Sequence, residues 1–370
     1  MDTTPKAIER PDERSDGRSD GRIDGRSDEP PIGILLLNLG GPPDLAAVEP
    51  FLYNLFSDRE IIQLPGGLWG QRLLARIIAK ARSPKVRGYY QSIGGGSPIL
   101  PLTRRQAEAL ERRLNDEAAA TAGGRRRFQV RPAMRYWHPR TEETLAEMHA
   151  AGIRRVVAVT LYPQYSAATT GSSLAELRRA AQRLGWDAGP EAMRFTAVER
   201  YAEDSGYLDA VTQTVEEALA AVPGEDRAGA VLLFSAHGLP IRFIERGDPY
   251  EREIHLSRDG VLRRLRARGI ENEWRLAYQS RTGPVKWLGP PTEEVIGELA
   301  RGGARAIVII PIAFVSDHIE TLYEIDQLFA GEARAAGIRH FVRTRMLTDD
   351  PLYISTLARL VRAHLDEEPV

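Results

Sequence analysis

From Ile32 onward the chain alternates short apolar runs with longer stretches of helical periodicity. Eight runs read as strands: Ile32–Leu39, Phe128–Met134, Arg155–Tyr162, Arg194–Val198, Ala230–Ser235, Trp274–Gln279, Ala306–Ile312 and Phe341–Arg345. Most are β-branched or leucine-rich and do not alternate with polar residues, as expected of strands covered on both faces of a parallel sheet. Helical stretches lie between them, so the class is α/β with right-handed crossovers. The pattern also repeats. Thr141-Glu142-Glu143 followed by Gly152-Ile153-Arg154-Arg155-Val156-Val157 matches Thr292-Glu293-Glu294 followed by Gly303-Ala304-Arg305-Ala306-Ile307-Val308, at a constant offset of 151. Pro139 and Pro290 keep the same offset.

One helix-then-strand unit therefore occurs twice. The expectation is two similar doubly wound, Rossmann-like domains with parallel sheets, residues 31–185 and 190–345, facing an interdomain cleft. Residues 351–366 read as a last helix that packs back on the first domain. Residues 1–30 carry the polar repeat Ser15-Asp16-Gly17-Arg18 and its successors, with almost nothing to bury, and are expected to be a disordered tail.

Composition narrows the function by exclusion. The 370 residues are 42% hydrophobic, enough for two cores. Lys and Arg total 50 against 51 Asp and Glu, which leaves no basic surplus for a nucleic-acid partner. The chain has no cysteine, so disulfides, thiolate zinc sites and cysteine-held iron–sulfur clusters are excluded. No apolar run approaches the roughly 18–20 residues needed to cross a bilayer. A cytoplasmic protein, at most peripheral to a membrane, is expected.

In open parallel sheets, ligands bind beyond the carboxyl ends of the strands. The unusual residues of this chain gather there: Asn38 to Pro42, Arg135 to Pro139, Tyr162 to Ser173, Ser235 to Pro240 and Tyr278 to Pro284. The most chemically loaded segment follows Ile310, where an apolar strand runs into a helix bearing Asp317, His318, Glu320 and Glu324. The spacing i, i+3, i+7 puts the three acids on one α-helical face. Acids in a first turn can simply complement the helix dipole, but Glu324 lies too deep for that. Clustered carboxylates repel one another, a cost tolerated where a cation visits or a proton moves. His237 ends a strand and is followed by Gly238 and Pro240, which turn the chain and leave its imidazole in the cleft.

These segments give the chain a clear resemblance to the ferrochelatases, from about Ile34 to about Asp326. Leu37 to Pro42, Ile93 to Pro98, Tyr162 to Ser173, Phe234 to Pro240, Gly247 to Tyr250, Tyr278 to Pro291 and the acidic segment carry it, in order. The resemblance implies a chelatase-like fold and insertion of Fe²⁺ into protoporphyrin IX, with release of two pyrrole protons, in haem biosynthesis. Coproporphyrin III is the alternative substrate, and a non-catalytic tetrapyrrole-binding protein is the alternative of another class. The porphyrin and ferrous iron are then the partners, Fe²⁺ being a substrate, with no tightly bound cofactor. The cysteines that hold a [2Fe–2S] cluster in some relatives are absent, which marks a cluster-free type.

By the same resemblance His237 and Glu320 are the catalytic pair, with Glu320 expected opposite His237 across the porphyrin. His237, Glu320 and Glu324 are the metal residues, and Asp317 is a further candidate. His318 ranks below Glu320. Leu39, Tyr90, Ser97, Arg135, Tyr136, Trp287 and Phe314 are the candidate porphyrin contacts, with backbone bonding the alternative for Tyr90 and Ser97 and core packing the alternative for Trp287 and Phe314. The Arg135 guanidinium suits a propionate and a structural carboxylate equally well. Residues 62–82 form the lip over the site, whose apolar side chains would cover the macrocycle and supply any peripheral membrane contact. The sequence is compatible with monomer and homodimer alike. One departure stands out: where many relatives place another acid one turn beyond Glu324, this chain has Leu328.

Overall fold

A computed structural model describes residues 30–62, 64–120, 127–281, 283 and 285–365. The expected tail, save its last residue, lies outside them. Strands β1 (Ile32–Asn38), β2 (Phe128–Met134), β3 (Arg155–Thr160) and β4 (Arg194–Val198) form one sheet. Strands β5 (Val231–His237), β6 (Trp274–Gln279), β7 (Ala306–Pro311) and β8 (His340–Arg343) form a second. Their orders, β2-β1-β3-β4 and β6-β5-β7-β8, are the same order repeated, and every pairing is parallel. The repeat seen in the sequence is therefore a repeat of topology. Because β4 pairs with β3, the first sheet extends to Val198, past the boundary expected near residue 185.

The turns after β2 and β6 show why Pro139 and Pro290 keep step. Each follows a cis peptide bond. The Met134 N–H donates to the Pro139 carbonyl at 2.7 Å, and the Tyr278 N–H to the Pro290 carbonyl at 2.9 Å. A helix then starts at Thr141 in one half and at Thr292 in the other.

Along β1, Ile34 and Leu36 enter a core shared with α6 (Ser205–Ala221) and with Leu232, Phe234, Val308 and Ile310 of the second sheet. Leu35 and Leu37 face the other way, toward α4 (Thr141–Ala150) and α5 (Ser172–Leu184). Covering on both faces explains why the strands read as unbroken apolar runs. Helices α1 (Val48–Ser57) and α2 (Gly67–Ser92) pack together around their own cluster, and α3 (Ile99–Ala120) precedes β2.

The last helix, Pro351–Ala363, packs on α3 and α6. Asp350 caps it, accepting from the Leu352 and Tyr353 N–H groups at 2.9 and 3.3 Å. A Cβ at Gly206 would stand 2.2 Å from Thr356 Oγ1, so glycine permits this close approach to α6.

Candidate active site

The second sheet delivers His237 as the last residue of β5, and Gln279 ends β6 directly beside it. The Gly238 N–H donates to the Gln279 carbonyl at 2.8 Å, and a Cβ on Gly238 would lie 2.8 Å from that oxygen. Glycine is thus required for the chain to turn there. Tyr250 Oη donates to the His237 carbonyl at 3.0 Å and holds the backbone in place. The imidazole stands in the cleft wall with 38% of the side chain exposed.

Beyond β7 the chain turns through Ile312 to His318 before helix begins at Ile319. From Glu320 to Phe329 that helix is π-wound, with i→i+5 hydrogen bonds, a form concentrated at functional sites. Asp317 precedes the helix, so the three acids do not share the α-helical face expected from their spacing. Asp317 instead accepts from Thr321 Oγ1 at 2.9 Å and pairs with Arg343 at 3.0 Å, and the same guanidinium holds Asp326 at 2.7 Å.

Glu320 and Glu324 do face the histidine. Glu320 Oε2 lies 3.2 Å from His237 Nδ1, a close contact without the alignment of a hydrogen bond, and 2.9 Å from His318 Nε2. His318 Nδ1 faces the Ser316 carbonyl at 3.0 Å, which fixes its ring. The 3.2 Å separation corrects the expected placement of Glu320 across the porphyrin. A flat ring needs about 3.5 Å of clearance on each face, so none fits between Glu320 and His237 as they stand. Phe314 meets His318 edge-on at 4.4 Å between centroids and His237 at 6.2 Å.

The charges of these groups depend on one another. Burial pulls the His237 pKa down, but the Glu320 contact and the Glu324 charge outweigh it and leave it raised above 6.5. Burial would raise Glu320, yet His237 and His318 hold its carboxyl well below the usual range. Glu324 moves the other way: burial and the Glu320 charge raise it, only partly offset by Ser280, His237 and Gln279. Three neighbouring groups thus sit at different proton affinities, the arrangement from which acid–base assignments are read.

Comparison with known proteins gives this geometry its context. The ferrochelatase family model matches residues 31–365. A ferrochelatase of Geotalea uraniireducens is 48% identical over 335 residues, covering 90% of this chain and 98% of its own. One from Synechococcus elongatus is 44% identical over 339 residues, covering 91% and 83%. The chain belongs to the ferrochelatase family.

Ferrochelatases are lyases that insert a metal ion into a porphyrin, and the expected site residues of this one fall into three groups. His237, Glu320, Glu324 and Phe314 come together with His318. Tyr90 is buried near enough to Glu320 that burial and this charge push its phenol far up. Trp287 packs over Gly238, with its Nε1 buried and without a hydrogen-bond partner among the described residues.

Arg135 and Tyr136 form a second group, at Asp58. Asp58 Oδ2 accepts from Arg135 at 2.6 Å and from Tyr136 Oη at 2.7 Å, while Arg135 Nε donates to Ser172 at 2.9 Å. The guanidinium has taken the structural carboxylate. Leu39 and Ser97 make a third group, away from the histidine. Leu39 packs on the α1–α2 cluster. Ser97 lies against Gly41, where a Cβ would stand 2.4 Å from its hydroxyl, and its N–H donates to the Pro42 carbonyl at 2.8 Å. The Gly-Gly-Pro and Gly-Gly-Gly-Ser-Pro motifs are therefore two loops docked backbone to backbone.

Residues 62–82, the expected lip, fall in the loop before α2 and in its first part. Gln71, fully buried, ties that loop down by donating to the Phe56 and Ile62 carbonyls at 2.7 and 2.8 Å. Leu68, Trp69, Leu73 and Ile77 stand exposed along the helix, Trp69 to 86%. Sequence reasoning assigned no role to Asp58, Gln71, Gln279, Ser280 or Arg343. Only Gln279 and Ser280 carried a signal, their place at a strand end. Among the described residues, no group of three or more His, Asp and Glu forms a ready metal cage.

Proposed function

We propose that this ferrochelatase inserts Fe²⁺ into protoporphyrin IX, with His237 as the acceptor of the pyrrole protons and Glu320 and Glu324 as the residues that receive the metal. The observation that carries the reading is the His237–Glu320–Glu324 cluster at the carboxyl ends of β5, β6 and β7. Metallation removes two protons from the macrocycle for each cation inserted. A neutral imidazole suits that task. Glu320, 3.2 Å away, stabilises the imidazolium as it forms. Carboxylate oxygens hold Fe²⁺ weakly enough to pass it on. Phe314 and Trp287 supply apolar surface for the ring, and Tyr90 stays an uncharged donor at its edge.

The test is anaerobic metallation with Fe²⁺ or Zn²⁺, with protoporphyrin IX and coproporphyrin III run side by side. A higher kcat/KM for protoporphyrin IX is expected, and a preference for coproporphyrin III would reassign the substrate. Glu324→Gln is expected to raise the KM for metal about tenfold, the cost of a lost charged contact, with the porphyrin KM unchanged. An unchanged metal KM would remove Glu324 from the metal path.

The lip extends the proposal to a membrane surface. Exposed Leu68, Trp69, Leu73 and Ile77 share α2 with Arg72, Arg76 and Lys80, apolar and basic side chains that suit an anionic bilayer. No helix among the described residues is long and apolar enough to cross a membrane, so such contact would be peripheral. Trp69→Glu is expected to reduce co-sedimentation with anionic vesicles, and equal sedimentation would rule the lip out as the contact.

A further inference from the structure

We infer that Gln279 and Ser280 are positioning residues that lock one oxygen of Glu324 and leave the other as a single-oxygen station for the ferrous ion. Gln279 is fully buried. Its Oε1 accepts from Ser235 Oγ at 2.8 Å, and that hydroxyl lies 3.1 Å from Thr292 Oγ1. The amide is thereby oriented, and its Nε2 donates to Glu324 Oε2 at 3.0 Å and to the Glu320 carbonyl at 3.1 Å. Ser280 donates from Oγ to the same Glu324 Oε2. Two donors converge on one oxygen, and among the described residues no hydrogen bond reaches Oε1.

The backbone at Ser280 is the independent observation. Its φ is +65°, in the left-handed region where glycine fits freely and a serine is strained. Such a conformation persists where the surroundings impose it, and it clusters at functional sites. If only the turn mattered, glycine would serve better. The serine brings a hydroxyl, and the left-handed turn aims that hydroxyl back at Glu324. A carboxylate held by one oxygen cannot close on a cation with both without breaking two hydrogen bonds. It therefore offers the cation one hard oxygen ligand and lets it leave, as delivery to a porphyrin requires.

This rests on the assignment of Glu324 to the metal. The test is steady-state metallation by wild type, Ser280→Gly and Ser280→Asn, varying Zn²⁺ or Fe²⁺ at saturating porphyrin and then the reverse, with thermal unfolding alongside. Glycine keeps the left-handed turn and loses the donor; asparagine tolerates the turn and keeps one. Ser280→Gly is expected to raise the KM for metal about tenfold, the size of one hydrogen bond to a charged group, with the porphyrin KM and the unfolding temperature unchanged. Ser280→Asn is expected to return the metal KM toward wild type. An unchanged metal KM in Ser280→Gly would overturn the proposal, as would a lowered unfolding temperature with both KM values raised equally. A wild type that metallates no porphyrin would instead overturn the functional reading, and the proposal with it.

Discussion

Replacing His237 by alanine is expected to lower metallation about 10²–10⁴-fold, the usual contribution of a positioned general base, while porphyrin still binds. The backbone there is held by groups the substitution leaves alone, the Tyr250 hydroxyl on the His237 carbonyl and the Gly238 N–H on Gln279. The cleft should therefore keep its shape and lose only the proton acceptor. Anaerobic turnover followed by absorbance measures the first effect and porphyrin fluorescence the second. Near-normal turnover would take the acceptor role away from His237. The pH profile gives a sharper test. An acceptor must start neutral, and the His237 pKa is raised above 6.5, so kcat/KM should fall as pH drops through a point above 6.5. In Glu320→Gln the main group holding the imidazolium is gone and burial pulls the other way, so the acid limb should move to lower pH. A limb that stayed in place would uncouple the two groups.

Asp58→Ala is expected to cost about 3–5 kcal/mol of stability, the typical loss when one partner of a buried ion pair is removed. Asp58 is 8% and Arg135 13% exposed at the side chain, and Arg135, Tyr136 and Ser172 all converge on the one carboxylate oxygen. Glu176, 3.8 Å from the guanidinium, is a longer ion pair that would stay in place. Urea unfolding should show a lower midpoint with an unchanged slope. A loss below about 1 kcal/mol, the worth of an exposed pair, would mean that the carboxylate does not hold Arg135, Tyr136 and Ser172 together.

All eight strands were legible to within a few residues, because covering both faces of a sheet leaves one kind of residue along each strand. The duplication was legible because the turns at Pro139 and Pro290 kept their spacing. The winding at Glu320 was not. Nothing in Glu320–Phe329 distinguishes i→i+5 from i→i+4 bonding, and nothing in the spacing shows that the helix begins only after Asp317. In the structure Asp317 stops short of the cluster and turns to Arg343. Glu320 was placed across the ring for a related reason: strand ends show which residues meet the cleft, but not how near the two loops come. Asp58 was hidden in Phe56-Ser57-Asp58-Arg59-Glu60, which reads as an ordinary charged helix end until Arg135 is brought to it over 77 positions of chain. Ser280 stood in a motif, but its left-handed backbone leaves no mark on composition.

The helix Pro351–Ala363 belongs to neither sheet, yet it lies on α3 and α6 and shares a 2.8 Å hydroxyl contact between Tyr353 and Tyr201. It also comes after both sheets in the order of synthesis. A ribosome adding about 5–20 residues per second needs roughly one to four seconds to pass from Arg343 to Ala363. Over that interval the residues of all eight strands have been joined, while the strap that lies across α3 and α6 is still being made. The element that spans the two halves is thus the last described helix to be made.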